Sequence, residues 1–110
     1  MSAILTEPWE KLAVTARYDA RELARLCALS SRQLQRNFSR DLNRSPQDWL
    51  NEQRIDAARR LLLSGGPVKR VAFELGYKQV SHFCRQFKLY NNMTPSQFVH
   101  GSLNRPVVNG

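Results

Sequence analysis

The chain has 110 residues, 42% of them hydrophobic, and carries 17 Lys and Arg against 9 Asp and Glu, a net charge of +8. That length allows one compact unit or two very small lobes, leaves little room for an enzyme with a deep cleft, and with this apolar content excludes a disordered polymer. The positive charge, mostly arginine, points to a polyanion. Nucleic acid comes first; an acidic membrane surface comes second, because the basic residues do not form a Lys-rich amphipathic stripe.

Two cysteines, Cys27 and Cys84, are too few for a disulfide scaffold. The opening "MSAILTEPWEKL" lacks a basic start followed by an apolar run, and no segment approaches the length of a membrane span, so the expected location is the cytoplasm.

In chain order, Trp9, Leu12, Ala13 and Ala16 mark an amphipathic helix expected to pack on the next two helices. Asp19-Ala20-Arg21-Glu22 is a capping-box pattern opening a short helix whose apolar face is Leu23, Leu26 and Cys27. A turn near Ala28-Leu29 precedes a second box, Ser30 with Gln33, and a helix through about Leu42 that Asn43 can stop in a left-handed conformation. Ser45 caps and Pro46 begins a helix bearing Trp49, Leu50, Ile55, Ala58, Leu61 and Leu62, ending at "SGGP". Its 18 or so residues make a rod of roughly 27 Å that would fix the separation of its flanking motifs. A helix from Pro67 through Leu75, a turn at Gly76, a helix from about Gln79 to Tyr90 stopped by Asn91-Asn92, and a short helix from Thr94-Pro95 complete the series. The tail "GSLNRPVVNG" is expected to fray.

These elements repeat. At an offset of 49, Leu34 falls on Phe83, Arg36 on Arg85, Phe38 on Phe87, Asn43 on Asn92, Ser45-Pro46 on Thr94-Pro95 and Trp49 on Phe98; upstream the offset is 48, with Leu23-Ala24 on Val71-Ala72 and Ala28 on Gly76. One helix, tight turn, helix motif is used twice. Ala28 is a misfit costing roughly 1 kcal/mol if its backbone must follow that of Gly76. The expected fold is all-α, with about seven helices and two helix-turn-helix subdomains joined by a long helix. The divisions are 1–45, 46–64, 65–100 and a tail, 101–110.

On the second helix of each motif, the residues off the apolar stripe form a polar one: Arg32, Gln35, Arg36 and Ser39, then Ser81, Cys84, Arg85 and Lys88. Each set has i, i+3, i+4, i+7 spacing and shares a face. Arg or Gln on a helix in the major groove can form paired hydrogen bonds to guanine or adenine, while Ser or Lys can reach phosphate. Such stripes also occur on ordinary solvated helices. Arg36 and Arg85 at the same place in two diverged copies favour the reading heads, and Arg40 and Gln79 extend the two sets.

The segments "ELARLCALSSRQLQRNFSRDLNRSPQDWLNEQRIDAARRLL" and "VKRVAFELGYKQVSHFCRQFKLYNNMTPSQF" resemble the AraC-type transcriptional regulators over about residues 18–98. Ala72, Gly76-Tyr77, Ser81, Phe83, Arg85, Phe87-Lys88 and Thr94-Pro95 fall at signature positions, and Arg54, Ala58 and Leu62 match the connecting helix. The resemblance implies two helix-turn-helix units on promoter DNA, with Arg32, Gln35 and Arg36, and Val80, Ser81, Cys84 and Arg85, facing bases. Asn43 and Asn92 stand where the family usually has Gly. Val80 and Cys84 offer little hydrogen bonding, so the second helix should be the less specific reader; Val80 could equally complete the apolar stripe.

The expected partners are double-stranded promoter DNA, bound by a monomer at an asymmetric site in the bacterial nucleoid, and RNA polymerase. Neither cofactor nor catalytic constellation is expected. A sensing or dimerising domain does not fit within this length, leaving a stand-alone regulator or a fragment of a longer one. Two other classes compete: a thiol or metal sensor using Cys27, Cys84, His82 and His100, which lack metal-ligand spacing, and a helical protein-interaction domain.

Overall fold

Capping and turn residues set where each helix begins and stops. A computed structural model describes residues 9–104, which hold seven helices and no strand. They are α1 (Trp9–Thr15), α2 (Ala20–Leu26), α3 (Ser31–Leu42), α4 (Pro46–Leu63), α5 (Val68–Glu74), α6 (Val80–Asn91) and α7 (Pro95–Asn104). Two compact units divide within α4, Met1–Arg54 and Ile55–Gly110. Of the segment expected as tail, residues 101–104 continue α7, and residues 105–110 lie outside the described residues.

Within the first unit α1 packs on α2 and α2 on α3. The Ser30 hydroxyl accepts from the Gln33 amide at 3.1 Å while Gln33 Oε1 accepts from the Ser30 amide at 3.0 Å, the complete capping box expected at α3. At α2 only half of the expected box forms. Asp19 accepts from the Glu22 amide at 3.2 Å, but the Glu22 carboxylate turns to Arg25 at 2.8 Å, a charged fork that outcompetes a single amide. Helix α2 buries Leu23 and Ala24 and leaves Leu26 exposed, so its inward face is narrower than Leu23, Leu26 and Cys27. Asn43 caps α3 at φ 56°, as its place in the sequence requires.

In the second unit α5 packs on α6, as α2 does on α3 in the first, and α6 packs on α7. Pro67 is the cap of α5 rather than its first helical residue. Phe83 and Phe87 are fully buried and Asn92 caps α6 at φ 59°. Tyr90, in the last turn of α6, is 39% exposed, while Phe83, Phe87 and Tyr77 are buried.

The turns show that the repeat reaches further than the sequence revealed. In α2 the Leu29 amide donates to Ala24 O and the Ala28 amide to Arg25 O; in α5 Tyr77 donates to Ala72 O and Gly76 to Phe73 O. This paired bonding is the Schellman motif, which places its C′ residue in the left-handed region. Helix α1 ends the same way through Arg17 and Tyr18, and α4 through Gly65 and Gly66, again 48 residues apart. The C-terminal end of α4 therefore matches that of α1 in its backbone bonding.

The first copy holds non-glycine residues at two C′ positions, Arg17 at φ 55° and Ala28 at φ 58°, where the second has Gly65 and Gly76. Ala28 is thus the misfit expected from the repeat. Its Cβ opposes the left-handed conformation without any side-chain bond to offset the cost. Ala28→Gly should stabilise the protein by about 1 kcal/mol, less the extra freedom given to the unfolded chain. A urea midpoint that falls in this variant would contradict that account.

Candidate nucleic-acid interface

Helix α3 separates its two faces cleanly. Leu34 and Phe38 are buried, while Arg32, Gln35, Arg36, Ser39 and Arg40 are all exposed. No ion pair among the described residues holds Arg32, Arg36 or Arg85. Their guanidinium forks therefore remain available to an acceptor. Arg40 is engaged, donating to the adjacent Asp41 at 2.9 Å. By hydrogen bonding, Arg40 holds the Asp41 carboxyl below its ordinary range. A depressed carboxyl contributes stability above its ordinary pKa and loses it as pH falls through the folded value; both groups are exposed, so the contribution is small.

Two long-range devices position this helix's surroundings. Gln47, in the first turn of α4, donates to Tyr18 O at 3.0 Å and accepts from the Ala20 amide at 3.0 Å. It thereby satisfies the backbone around the left-handed Arg17-Tyr18 pair. The Arg54 guanidinium lies 6.0 Å from the centre of the Tyr18 ring, within cation–π reach.

On α6, Ser81, Arg85 and Lys88 are exposed, as is the cap residue Gln79, whereas Val80 and Cys84 are half-buried. Val80 thus divides its surface between apolar packing and solvent. The Tyr77 hydroxyl donates to Gln86 Oε1 at 2.6 Å, tying α6 to the turn before it. Arg59, from α4, donates to Asn91 Oδ1 at 2.6 Å and pairs with Asp56, fixing the far end of α6.

Sequence reasoning left Lys78 out and took His82 only as a sensor group. With Gln79 and Arg85 they line a surface pocket of about 270 Å³, a basic cluster at the start of α6. His82 at i−3 from Arg85 was the available signal, obscured because the stripe was drawn through Ser81 instead. The second unit is also the more basic: residues 55–110 carry eight Lys and Arg against two Asp and Glu, and residues 1–54 carry nine against seven.

The proposed sensor groups do not assemble. No group of three or more His, Cys, Asp and Glu able to hold a metal occurs among the described residues, and both thiols are free. Cys27, expected on the apolar face of α2, is only half-buried, whereas Leu75, 48 residues on in the second copy, is buried. Burial still raises its thiol pKa. At neutral pH Cys27 should therefore carry less thiolate, and react with iodoacetamide more slowly, than an unperturbed cysteine peptide. Mass-spectrometric rates equal to or above the peptide's would contradict this. No helix among the described residues is long and apolar enough to cross a membrane.

Known proteins share both the pattern and the fold. Residues 23–101 match the family model described as "Helix-turn-helix domain". An uncharacterized HTH-type transcriptional regulator of Haemophilus influenzae is 36% identical over 78 residues, covering 70% of this chain and 26% of that protein. The chain spans about a quarter of the length of the curated relatives it matches. Among solved structures, an AraC-type transcriptional regulator from Chromobacterium violaceum aligns with a TM-score of 0.72 at 22% identity, over 94% of this chain and 99% of that one. The DNA-binding domain of the global transcriptional factor AdpA, in complex with a target DNA, aligns with a TM-score of 0.74 at 24% identity over 93% and 99%. The match spans both copies of the turn-bearing motif, and on that ground the chain belongs to the AraC-type family of helix-turn-helix domains.

Proposed function

We propose that this chain is the sequence-specific double-stranded DNA-binding part of a bacterial transcription regulator, with α3 and α6 as its two reading helices. The observation that carries the reading is the repeated exposed stripe, Arg32, Gln35, Arg36 and Ser39 on α3 and Ser81, Arg85 and Lys88 on α6, on the second helix of each motif. The AdpA domain solved with its target DNA supports the same reading.

The roles divide by chemistry. Arg32, Gln35 and Arg36 suit paired hydrogen bonds to base edges, and Ser39 and Arg40 suit phosphate. On α6, Val80 and Cys84 present apolar surface fitted to thymine methyls, Arg85 can read guanine, and Gln79, Ser81 and Lys88 hold the backbone. Unlike reading helices suit an asymmetric site, bound by a monomer in two successive major grooves about 34 Å apart. This reading is non-catalytic, places the protein with the cytoplasmic nucleoid, and makes RNA polymerase the second partner of the regulator.

Selection of preferred sites from random duplex DNA tests it. An unsymmetrical motif with stronger preferences in one half is the expected result. Failure to enrich any sequence at moderate salt would remove the sequence-specific reading.

A further inference from the structure

A second surface of α3 is built for something other than DNA. Beside the buried Phe38, the half-exposed indoles of Trp9 and Trp49 form an aromatic cluster, with centroids 5.1 Å and 5.8 Å from Phe38 and 5.7 Å from each other. They line an open groove of about 220 Å³ with Leu42, 45% exposed, and with Glu10 and Asp41. It lies wholly within the first unit, on a face of α3 distinct from that of Arg32, Arg36 and Ser39.

The second unit shows that the fold does not require this opening. At the equivalent places Phe87 and Phe98 pack at 5.4 Å, and Asn91, standing where Leu42 does, is held by Arg59 at 2.6 Å. One copy sets an asparagine held by an arginine at that place. The other leaves two indoles and a leucine at it.

We propose that this groove docks a short basic amphipathic helix of another protein, an aliphatic side chain seated on the indoles and Leu42 and a Lys or Arg facing Glu10 and Asp41. The volume falls below the roughly 300–1,000 Å³ of small-molecule sites, but accepts an aliphatic anchor from a helix laid along it. Charge decides the occupant. Two carboxylates line the groove of a protein with net charge +8: Glu10 enters no ion pair among the described residues, and Asp41 is already shared with Arg40, so Glu10 supplies most of the attraction for a cationic segment, which meets repulsion over most of the remaining surface. Residues 1–8 of the chain itself carry Glu7 and no Lys or Arg, and so are not complementary. A stem of Lys or Arg can also stack on an indole face.

Both tryptophans of the protein line the groove, so their emission reports its occupancy directly. The whole chain should be titrated with a stapled helical peptide of about 14 residues bearing Leu and Lys on one face, and with the Leu and Glu counterpart. The Lys peptide should shift the emission saturably, and the Glu peptide should bind at least about tenfold more weakly. Leu42→Asp and Asp41→Lys should each weaken the Lys peptide by about tenfold or more, and Arg36→Ala should leave it unchanged. Leu42 and Asp41 are exposed, and circular dichroism verifies that the variants fold.

Equal binding of the two peptides, unchanged affinity in the Leu42 and Asp41 variants, or no saturable shift would each overturn the proposal. So would an emission change that follows the protein's own concentration without peptide, which would make a second copy the occupant. None of these readouts involves duplex DNA, so failure here is distinct from failure of the DNA-binding reading.

Discussion

Arg36→Ala should weaken binding to the selected duplex by about 1–3 kcal/mol, roughly 5- to 150-fold, and relax preference at one or two adjacent base pairs. The size follows from the chemistry of the fork. Arg36 is exposed at the middle of α3, on the face opposite Phe38, and no ion pair among the described residues competes for it. A guanidinium paired with guanine loses two hydrogen bonds at once when truncated.

Arg85→Ala should cost affinity in the same range but spread the loss over more sequences. Its neighbours on the stripe, the half-buried Val80 and Cys84, give the duplex little direction. Lys88→Ala should act differently again, reducing the slope of log K against log salt by about one phosphate contact while leaving the preferred sequence intact. Fluorescence anisotropy on the selected duplex and on single-base variants, at several salt concentrations, separates the three. If Arg36→Ala lowers affinity equally for all duplexes, Arg36 touches phosphate and the assignment of α3 as base reader fails.

The largest effect on stability should come from Phe87→Ala. Phe87 is fully buried, with Phe83 at 5.8 Å on one side and Phe98 at 5.4 Å on the other, so truncation removes the ring on which α6 and α7 meet. Phe→Ala changes in such cores cost about 3–5 kcal/mol, transfer and cavity together, against a total stability of about 5–15 kcal/mol for a domain. Conversion to Leu should recover much of the loss because it refills most of the volume. Chemical denaturation measures both. A loss below about 1 kcal/mol for Phe87→Ala would mean that the aromatic stack does not hold α6.

The repeat was legible in the sequence because its punctuation is local. Ser30 with Gln33, Asn43 and Asn92, Ser45-Pro46 and Thr94-Pro95, and Gly76 each state a backbone conformation that neighbouring residues suffice to enforce. The α1 turn was illegible for the opposite reason. Arg17 and Tyr18 adopt φ 55° and 60° against their own preference, and what holds them is distant: Gln47 on Tyr18 O and the Ala20 amide, and Arg54 over the Tyr18 ring. The stripes on α3 and α6 could be read from helical period, but the depth of Val80 and Cys84 could not, since period gives direction without neighbours. The groove was hidden too: Trp9, Phe38 and Trp49 come from three helices, and no spacing rule connects them.

Helix α4 is shared, residues 46–54 belonging to one unit and 55–63 to the other. Half of an 18-residue helix is too short to persist in water once its packing face is lost. Melting either unit therefore removes one end of a helix on which its neighbour relies. Emission from Trp9 and Trp49, which sees the first unit, and far-ultraviolet circular dichroism, which sees both, should trace a single coincident denaturation curve. Two copies of one motif should then unfold as one.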